Sequence, residues 1–234
     1  MDIDKIIDKL KEDEIKNVNM INFIKDYPIE DIKIIGNSKL IKGKSDHSWN
    51  YISSSSKEEF KKLNKYFEGE KYFAVVEDWM VPIILKNKEL DWKLSCKKLY
   101  FPREKYLPNE YYKAENLRLK DAEYIYKNSK YKDFTSKEYI KERIKKGNGL
   151  GIYEDRLIAW ILTHDDGAIG FINVLDEYRK KGLGKDLTIS MIKKLRELNK
   201  IPFVHIEEDN IKSMNLAKKV GFIEDRFVHW IKLK

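Results

Sequence analysis

Six residues, Arg179-Lys180-Lys181-Gly182-Leu183-Gly184, join the end of an apolar run, Ile169 to Leu175, to the start of an amphipathic stretch. Where a buried strand ends and a helix begins at once, the free amides of the first helical turn converge on one spot, and two glycines let an anion come close to them. Arg179, Lys180, Lys181 and Lys185 add positive charge there. Each charge-assisted hydrogen bond contributes roughly 1.5–3 kcal/mol, so three or four of them would hold a diphosphate-bearing ligand at about micromolar strength. A glycine pair alone is as well explained by a tight turn; the strand before it and the helix after it decide for a cradle. Two rival phosphate loops do not fit. A P-loop needs Gly in place of Arg179 and Ser or Thr in place of Asp186, and a dinucleotide fingerprint needs a third Gly in place of Leu187.

The helix follows from spacing. Leu183, Leu187, Met191 and Leu195 recur every four residues, Leu198 follows, and Lys185, Asp186, Lys193, Lys194, Arg196 and Glu197 supply the polar positions between them. It should stop near Asn199, because Pro202 bars its continuation and Ile201 to Ile206 reads as a strand. Further on, Asp209 or Asn210 caps a second short helix whose apolar positions are Met214, Leu216, Ala217 and Val220, with Gly221 as a left-handed stop.

Arg-x-x-Gly-x-Gly after a strand resembles the acyl-coenzyme A signature of the GCN5-related N-acetyltransferase superfamily. The block from Asn210 to Phe222 is similar to that superfamily's next motif, in which Asn opens a helix, a small residue (here Ser213) follows three on, and Gly-Phe closes it. The two blocks stand in the family's order and at its separation. Within the superfamily the closest resemblance is to the glycine N-acyltransferase group, through Leu175 to Arg179, Ile201-Pro202-Phe203, His205 and Trp160; it covers about Asn116 to Lys234. The resemblance implies a mixed-sheet α/β acyltransferase fold in the C-terminal half, with acetyl-CoA or another acyl-CoA as co-substrate. It implies binding by Val174, Leu175, Arg179, Lys180, Lys181, Gly182, Leu183, Gly184 and Lys185, the backbone amides near Val174 and Leu175 being freed where that strand splays from its neighbour. Asn210 and Ser213 would touch the pantetheine arm.

Acyl transfer from a thioester to an amine needs an unprotonated amine and a polarised carbonyl. In the resembled group a glutamate early in the Ile169 strand is the base, and the matching residue here is Ala168. Asp165 and Asp166, just upstream, and His205 and Glu207, on the adjoining strand, are the alternatives. Of these, Asp166, His205 and Glu207 are the catalytic candidates, and each also has a plain reading: Asp165-Asp166-Gly167 suits a hairpin, and His205 suits the core. The tyrosine that many superfamily members use to protonate sulfur is replaced by Ala217. A thiol with a pKa of about 8.5 leaves without help, so that loss does not exclude catalysis.

The chain has 234 residues, 42% hydrophobic and 12% aromatic, enough for one large core or two smaller ones. Its net charge of +8 is carried mainly by lysines that alternate with Asp and Glu along helical faces, which reads as solvated surface and not as a nucleic-acid site. No apolar stretch reaches the length of a membrane span, and Met1-Asp2-Ile3-Asp4-Lys5 lacks a signal peptide's basic and apolar regions, so a cytoplasmic location is expected. Cys96 stands alone, which excludes an internal disulfide, and no metal site is expected.

Two domains are expected, 1–113 and 114–234. The first should be a smaller α/β domain, and proteins of the resembled type can carry a degenerate copy of the same fold in this half. It reads as a helix from Asp2 to Met20 with Ile21 to Asp26 continuing or following it, strands at Ile32 to Ile35 and Leu40 to Ile41, and a Ser-capped helix from Lys57 to Phe67. Strands then follow at Tyr72 to Val76, Val81 to Leu85 and Trp92 to Leu99. Pro102 and Pro108 mark a crossover. The second should begin with a strand at Asn116 to Leu119 and helices at Asp121 to Asn128 and Ser136 to Lys146, then strands at Leu150 to Tyr153 and Arg156 to Thr163. The first domain has three open roles: a lid, a dimerisation surface of a homodimer, or half of an acceptor pocket. Trp49, Trp79 and Trp92 suit its core better than such a pocket.

The activity expected from the resemblance is transfer of an acetyl or short acyl group from coenzyme A to the primary amine of a small molecule, such as an amino acid. A protein amine as acceptor, or a non-catalytic acyl-CoA-binding module, are the alternatives.

Overall fold

One order of elements occurs twice along the chain. In the computed structural model, which describes residues 2–129, 132, 135–147 and 149–234, the first pass runs α1 (Ile3–Lys11), α2 (Glu14–Asp26), β1 (Ile29–Ile35), β2 (Ser38–Lys44), β3 (Ser48–Ser53), α3 (Lys57–Leu63), β4 (Tyr72–Val76), α4 (Val81–Ile84) and β5 (Leu90–Tyr100). The second runs β6 (Glu115–Asn116), α5 (Asp121–Lys127), α6 (Lys137–Lys145), β7 (Gly149–Tyr153), β8 (Leu157–Thr163), β9 (Ile169–Val174), α7 (Leu183–Glu197), β10 (Phe203–Glu207), α8 (Ile211–Val220) and β11 (Ile223–Leu233). Apart from the short leading β6, each pass is helix, helix, three strands, helix, strand, helix, strand. In each the three strands are antiparallel and the next one joins in parallel. The repeated order is what a degenerate first copy of the second half requires.

Two compact units result. The first takes the chain up to Lys98 together with Ile206–Asp209 and Asp225–Lys234; the second takes Leu99–His205 and Asn210–Glu224. The last strand is therefore built into the first unit, where the order is β1-β2-β3-β4-β11-β5 and His229 of β11 lies opposite Val76 of β4. In the second unit the order is β10-β9-β8-β7-β6. Residues 99–113, assigned by sequence to the first half, pack with the second unit. Their backbone is held there by Phe101 N–H on the Pro202 carbonyl and by Arg196 on the carbonyls of Pro102, Arg103 and Lys105.

In the first unit β2 and β3 feed two cores. Ile41, Trp49 and Tyr51 pack against α1 and α2 through Ile6, Leu10, Met20 and Phe23, and Leu40 and Ile52 pack on the other face with Phe60, Leu63 and Phe73. Trp79 and Trp92 lie half-buried against these cores, as Trp49 lies within one. In the second unit Trp160 and Leu162 of β8 pack with Ala122, Ile125, Ile140 and Ile144 of α5 and α6, while α7 buries Leu183, Leu187, Met191, Ile192 and Leu195. No helix of the described residues is long and apolar enough to cross a membrane.

Three elements of the first half differ from the sequence expectation. The helix from Asp2 breaks at Glu12-Asp13, where Asp13 leaves helical geometry and its carboxylate caps α2 through Lys16 N–H. Val81 to Leu85, an aliphatic run suited to a strand, is instead the short helix α4, closed by Ile84 N–H on Met80 and Leu85 N–H on Val81. Pro82, which lacks an N–H and fixes φ, fits that first turn. The strand β3 was not anticipated: Trp49 to Ser53 are buried on both faces, so it shows no alternation of polar and apolar residues.

Cys96 on β5 is 3% exposed. Burial, with the nearby charge of Glu207, pushes its thiol up to about 12. A thiol-specific reagent at pH 8 is expected to leave the folded protein unlabelled and to react with one equivalent in denaturant; fast labelling of the native protein would contradict this packing.

Candidate functional site

Strand β9 is the backbone of the candidate site. It is antiparallel to β8, with Leu162 opposite Gly170, Trp160 opposite Asn173 and Ala159 opposite Val174, so between the first two pairs Phe171 and Ile172 of β9 stand against Ile161 alone of β8. The extra residue makes a bulge, and Phe171 within it has φ +52°, a left-handed conformation that a bulky residue adopts only where its surroundings hold it. On its other side β9 meets β10 at a single position, Ile169 opposite Val204. The corresponding strands of the first unit, β3 and β4, are paired at three: Trp49–Tyr72, Asn50–Phe73 and Tyr51–Ala74. From Gly170 onward β9 therefore presents an open edge, which its counterpart lacks.

Alternation along this edge decides which amides point outward. Leu175 N–H donates to the Ile158 carbonyl at 3.0 Å, which commits it to β8. In an antiparallel ladder the next residue back points the other way, so Val174 turns its N–H toward the open edge. Of the two amides that the resemblance assigned to binding, Val174 is thus placed to donate and Leu175 is not.

The chain then makes a 3-10 turn, Asp176–Tyr178, and enters α7 through Gly182. Gly182 has φ +95° and Lys180 has φ +63°, and together these reversals bring the helix start back beside the strand that precedes it. The first intrahelical bond is Asp186 N–H to the Gly182 carbonyl, and no side chain caps the turn. The donors at the head of this fifteen-residue helix are left to an outside acceptor. The corresponding helix of the first unit, α3, behaves otherwise, since the Ser56 hydroxyl accepts Glu59 N–H and occupies that place itself. A β-carbon on Gly184 would meet Leu216 of α8 at 3.7 Å, Val174 at 3.8 Å and Ile172 at 3.9 Å, all ordinary contacts. Those distances put β9, the first turn of α7 and α8 side by side. They also show that the fold itself has room for a side chain at 184.

Four cations surround this turn. Arg179 closes the loop on itself, donating from Nε to the Val174 carbonyl at 3.2 Å and pairing with Asp176. Lys181 Nζ sits 5.1 Å above the Tyr178 ring. Lys180 is exposed and Lys185 half-buried. Asp186, which the spacing placed among the polar positions of the helix, is instead 1% exposed, because its carboxylate accepts the N–H groups of Tyr111 and Tyr112 at 2.8 and 2.9 Å. Glu110 adds bonds to Ser190 at 2.7 Å and Lys193 at 3.0 Å. The segment around Pro102 and Pro108 is therefore strapped along α7 from end to end. An acidic residue one position before Leu187, beside the apolar face, was the only signal of that contact.

On α8 the Asn210 side-chain oxygen accepts Ser213 N–H at 3.2 Å, so this asparagine is first of all a helix cap. Ala217, in the position of the sulfur-protonating tyrosine, is 4% exposed and its carbonyl receives Gly221 and Phe222 N–H.

The three catalytic candidates lie on two elements, Asp166 in the β8–β9 turn and His205 and Glu207 two residues apart on β10. Asp166 is 2% exposed and its carboxylate accepts Ala168 N–H at 3.0 Å, fixing the β8–β9 hairpin. His205 packs edge-on against Phe203 at 5.4 Å. Glu207 is grouped with the first unit, beside Cys96. Neither neighbouring tyrosine replaces them: Tyr153 donates to Asp121 and Tyr178 to Glu154 at 3.0 Å, and in both the phenol pKa is raised, by burial first in Tyr153 and by the carboxylate contact first in Tyr178.

Residues 149–231 match the family model described as FR47-like protein. No curated protein matches the chain in sequence. Among solved structures, a Drosophila protein superposes with a TM-score of 0.81 at 18% identity, over 99% of this chain and 95% of that one. A GCN5-related N-acetyltransferase from Kribbella flavida gives 0.61 at 13% identity, over 94% and 98%. A tandem GNAT protein from the clavulanic acid biosynthesis pathway gives 0.50 at 14%, over 93% and 87%. The repeated element order, the FR47-like segment and these superpositions agree that the chain has the fold of the GCN5-related N-acetyltransferases.

Proposed function

We propose that the protein transfers an acetyl or other short acyl group from coenzyme A to the primary amine of a small molecule. The observation that carries this is the uncapped first turn of α7 lying against the open edge of β9 in the second unit, where the first unit has a self-capped helix and a paired strand. A diphosphate fits the amides of Gly182 to Lys185 with Lys180, Lys181 and Lys185 around it, and Arg179 steadies the loop. The arm that leads from the diphosphate to the thioester carries two amides, and an extended arm laid along β9 gains the Val174 N–H as a strand-like partner. Open edge amides in this place also suit the carbonyl oxygen on which charge develops when the amine adds. Asn210 and Ser213 border the arm from α8. The GCN5-related N-acetyltransferase from Kribbella flavida and the tandem GNAT protein, solved without AcCoA, support the activity by fold. The glycine N-acyltransferase-like residues Leu175 to Arg179 and Ile201 to Phe203 support an amino-acid-sized acceptor.

Incubation with acetyl-CoA and a panel of small amines should release free thiol with at least one of them. Ala168 and Ala217 favour one other outcome, a domain that holds acyl-CoA without turnover: binding with no thiol release across the panel would establish that reading and refute transfer.

A further inference from the structure

The open edge of β9 begins at Gly170, the first residue beyond the Ile169–Val204 pair. That residue has no side chain, and the imidazole of His164 fills the space: a β-carbon built on Gly170 would collide with Nε2 and Cδ2 of His164. The ring also packs on Phe171 of the bulge, with centroids 4.7 Å apart and planes 35° apart, and is half-buried. The hairpin is what brings it there. His164 N–H donates to the Ala168 carbonyl at 2.7 Å and Gly167 N–H to the His164 carbonyl at 3.0 Å, folding the turn so that a residue at the end of β8 lies over the start of β9. An imidazole thus sits two positions along from Ala168, where the resembled group carries a carboxylate.

Length places the reacting carbon near the same point. The arm between diphosphate and thiol has about as many bonds as four extended residues, and counting back along β9 from the loop after Leu175 leads to the stretch Gly170 to Ile172. We infer, on the reading of this edge as an acyl-CoA site, that His164 is the catalytic base of the second unit. The amine nitrogen adds to the thioester carbonyl carbon, and one of its protons passes to His164 Nε2. The carbon–sulfur bond then breaks, and the departing thiolate takes that proton from the imidazolium, leaving amide and free thiol. Charged and titratable groups on the same turn are Asp165 and Asp166, and Tyr139 and Arg143 of α6 hold that turn through Asp165 and Thr163.

Nitrogen-resolved spectra of the histidine-labelled protein test the placement, with calorimetry on the same sample reporting uptake of coenzyme A. The chain has four histidines, and the signal missing from His164→Gln identifies the one in question. Coenzyme A should be taken up and should move that signal, while His229, held by Ser95 and Asp78 in the first unit, stays in place. Uptake with an unmoved His164 overturns the assignment; absence of uptake overturns the acyl-CoA reading itself. In turnover, His164→Gln should keep its affinity for coenzyme A within about threefold, lose about 10²–10⁴ in rate, and lose the limb of the pH profile that reports the base. Free imidazole in the medium should restore part of the rate of His164→Ala. A wild-type rate in His164→Gln, or a slower rate with an unchanged pH profile, refutes the role.

Discussion

Gly184→Asp should abolish the response to coenzyme A without unfolding the protein. An aspartate in the first turn of α7 is favourable to the helix by about 0.3–1 kcal/mol, since its charge complements the helix dipole. The space at 184 accommodates its β-carbon, whose nearest neighbours would lie 3.7–3.9 Å away. The same carboxylate stands where the diphosphate must come. Losing two charge-assisted bonds removes about 3 kcal/mol or more, at least a hundredfold in affinity. At a hundred times its dissociation constant a ligand stabilises a protein by about 2.7 kcal/mol, which in a chain of this size raises the melting temperature by about 5–10 °C. That rise should appear in the wild type and vanish in Gly184→Asp, whose melting temperature without ligand should equal or exceed the wild type's. An equal rise in both proteins would remove the first turn of α7 from the binding site.

Arg143→Met should be the costliest single change in the second unit. Arg143 has no solvent exposure, and its guanidinium donates to the Thr163 carbonyl at 2.9 Å and to the Thr163 hydroxyl at 3.1 Å. Glu142, 3.6 Å away and partly exposed, is a secondary partner. Methionine nearly fills the space but leaves the buried end of β8 without donors, a loss of about 2–4 kcal/mol that urea denaturation would register as a lower midpoint. Because Thr163 precedes His164, the variant should also loosen the hairpin over Gly170. A midpoint unchanged within error would mean that the buried guanidinium contributes no net stability.

Where one face of an element is wet and the other dry, its period was legible in the residues. The four-residue spacing from Leu183 to Leu195 located α7, and the serine and asparagine caps located α3, α6 and α8. Where both faces are buried, as in β3, periodicity carries no information, and an aliphatic run as short as Val81 to Leu85 fits a helix and a strand equally well. The turn into α7 was legible because glycines and cations mark it locally. The open edge of β9 was not, since it consists of pairing that β3 and β4 make and β9 and β10 do not. Asp186 and His164 were missed for a related reason: what they touch, the strap at Tyr111 and Tyr112 and the backbone of Gly170, is set by chain folding and not by neighbours in sequence.

The two halves differ in the same terms. Ser56 caps its own helix, and β3 and β4 keep their ladder, so the first half has neither the uncapped helix start nor the open strand edge of the second. Binding should therefore show one site per chain.

Titration calorimetry of the wild-type protein with coenzyme A tests the central claim most directly. Uptake of one equivalent at about micromolar strength, weakening as salt is added, is the predicted result. Absence of heat with folded protein, or affinity indifferent to salt and to Gly184→Asp, would contradict it.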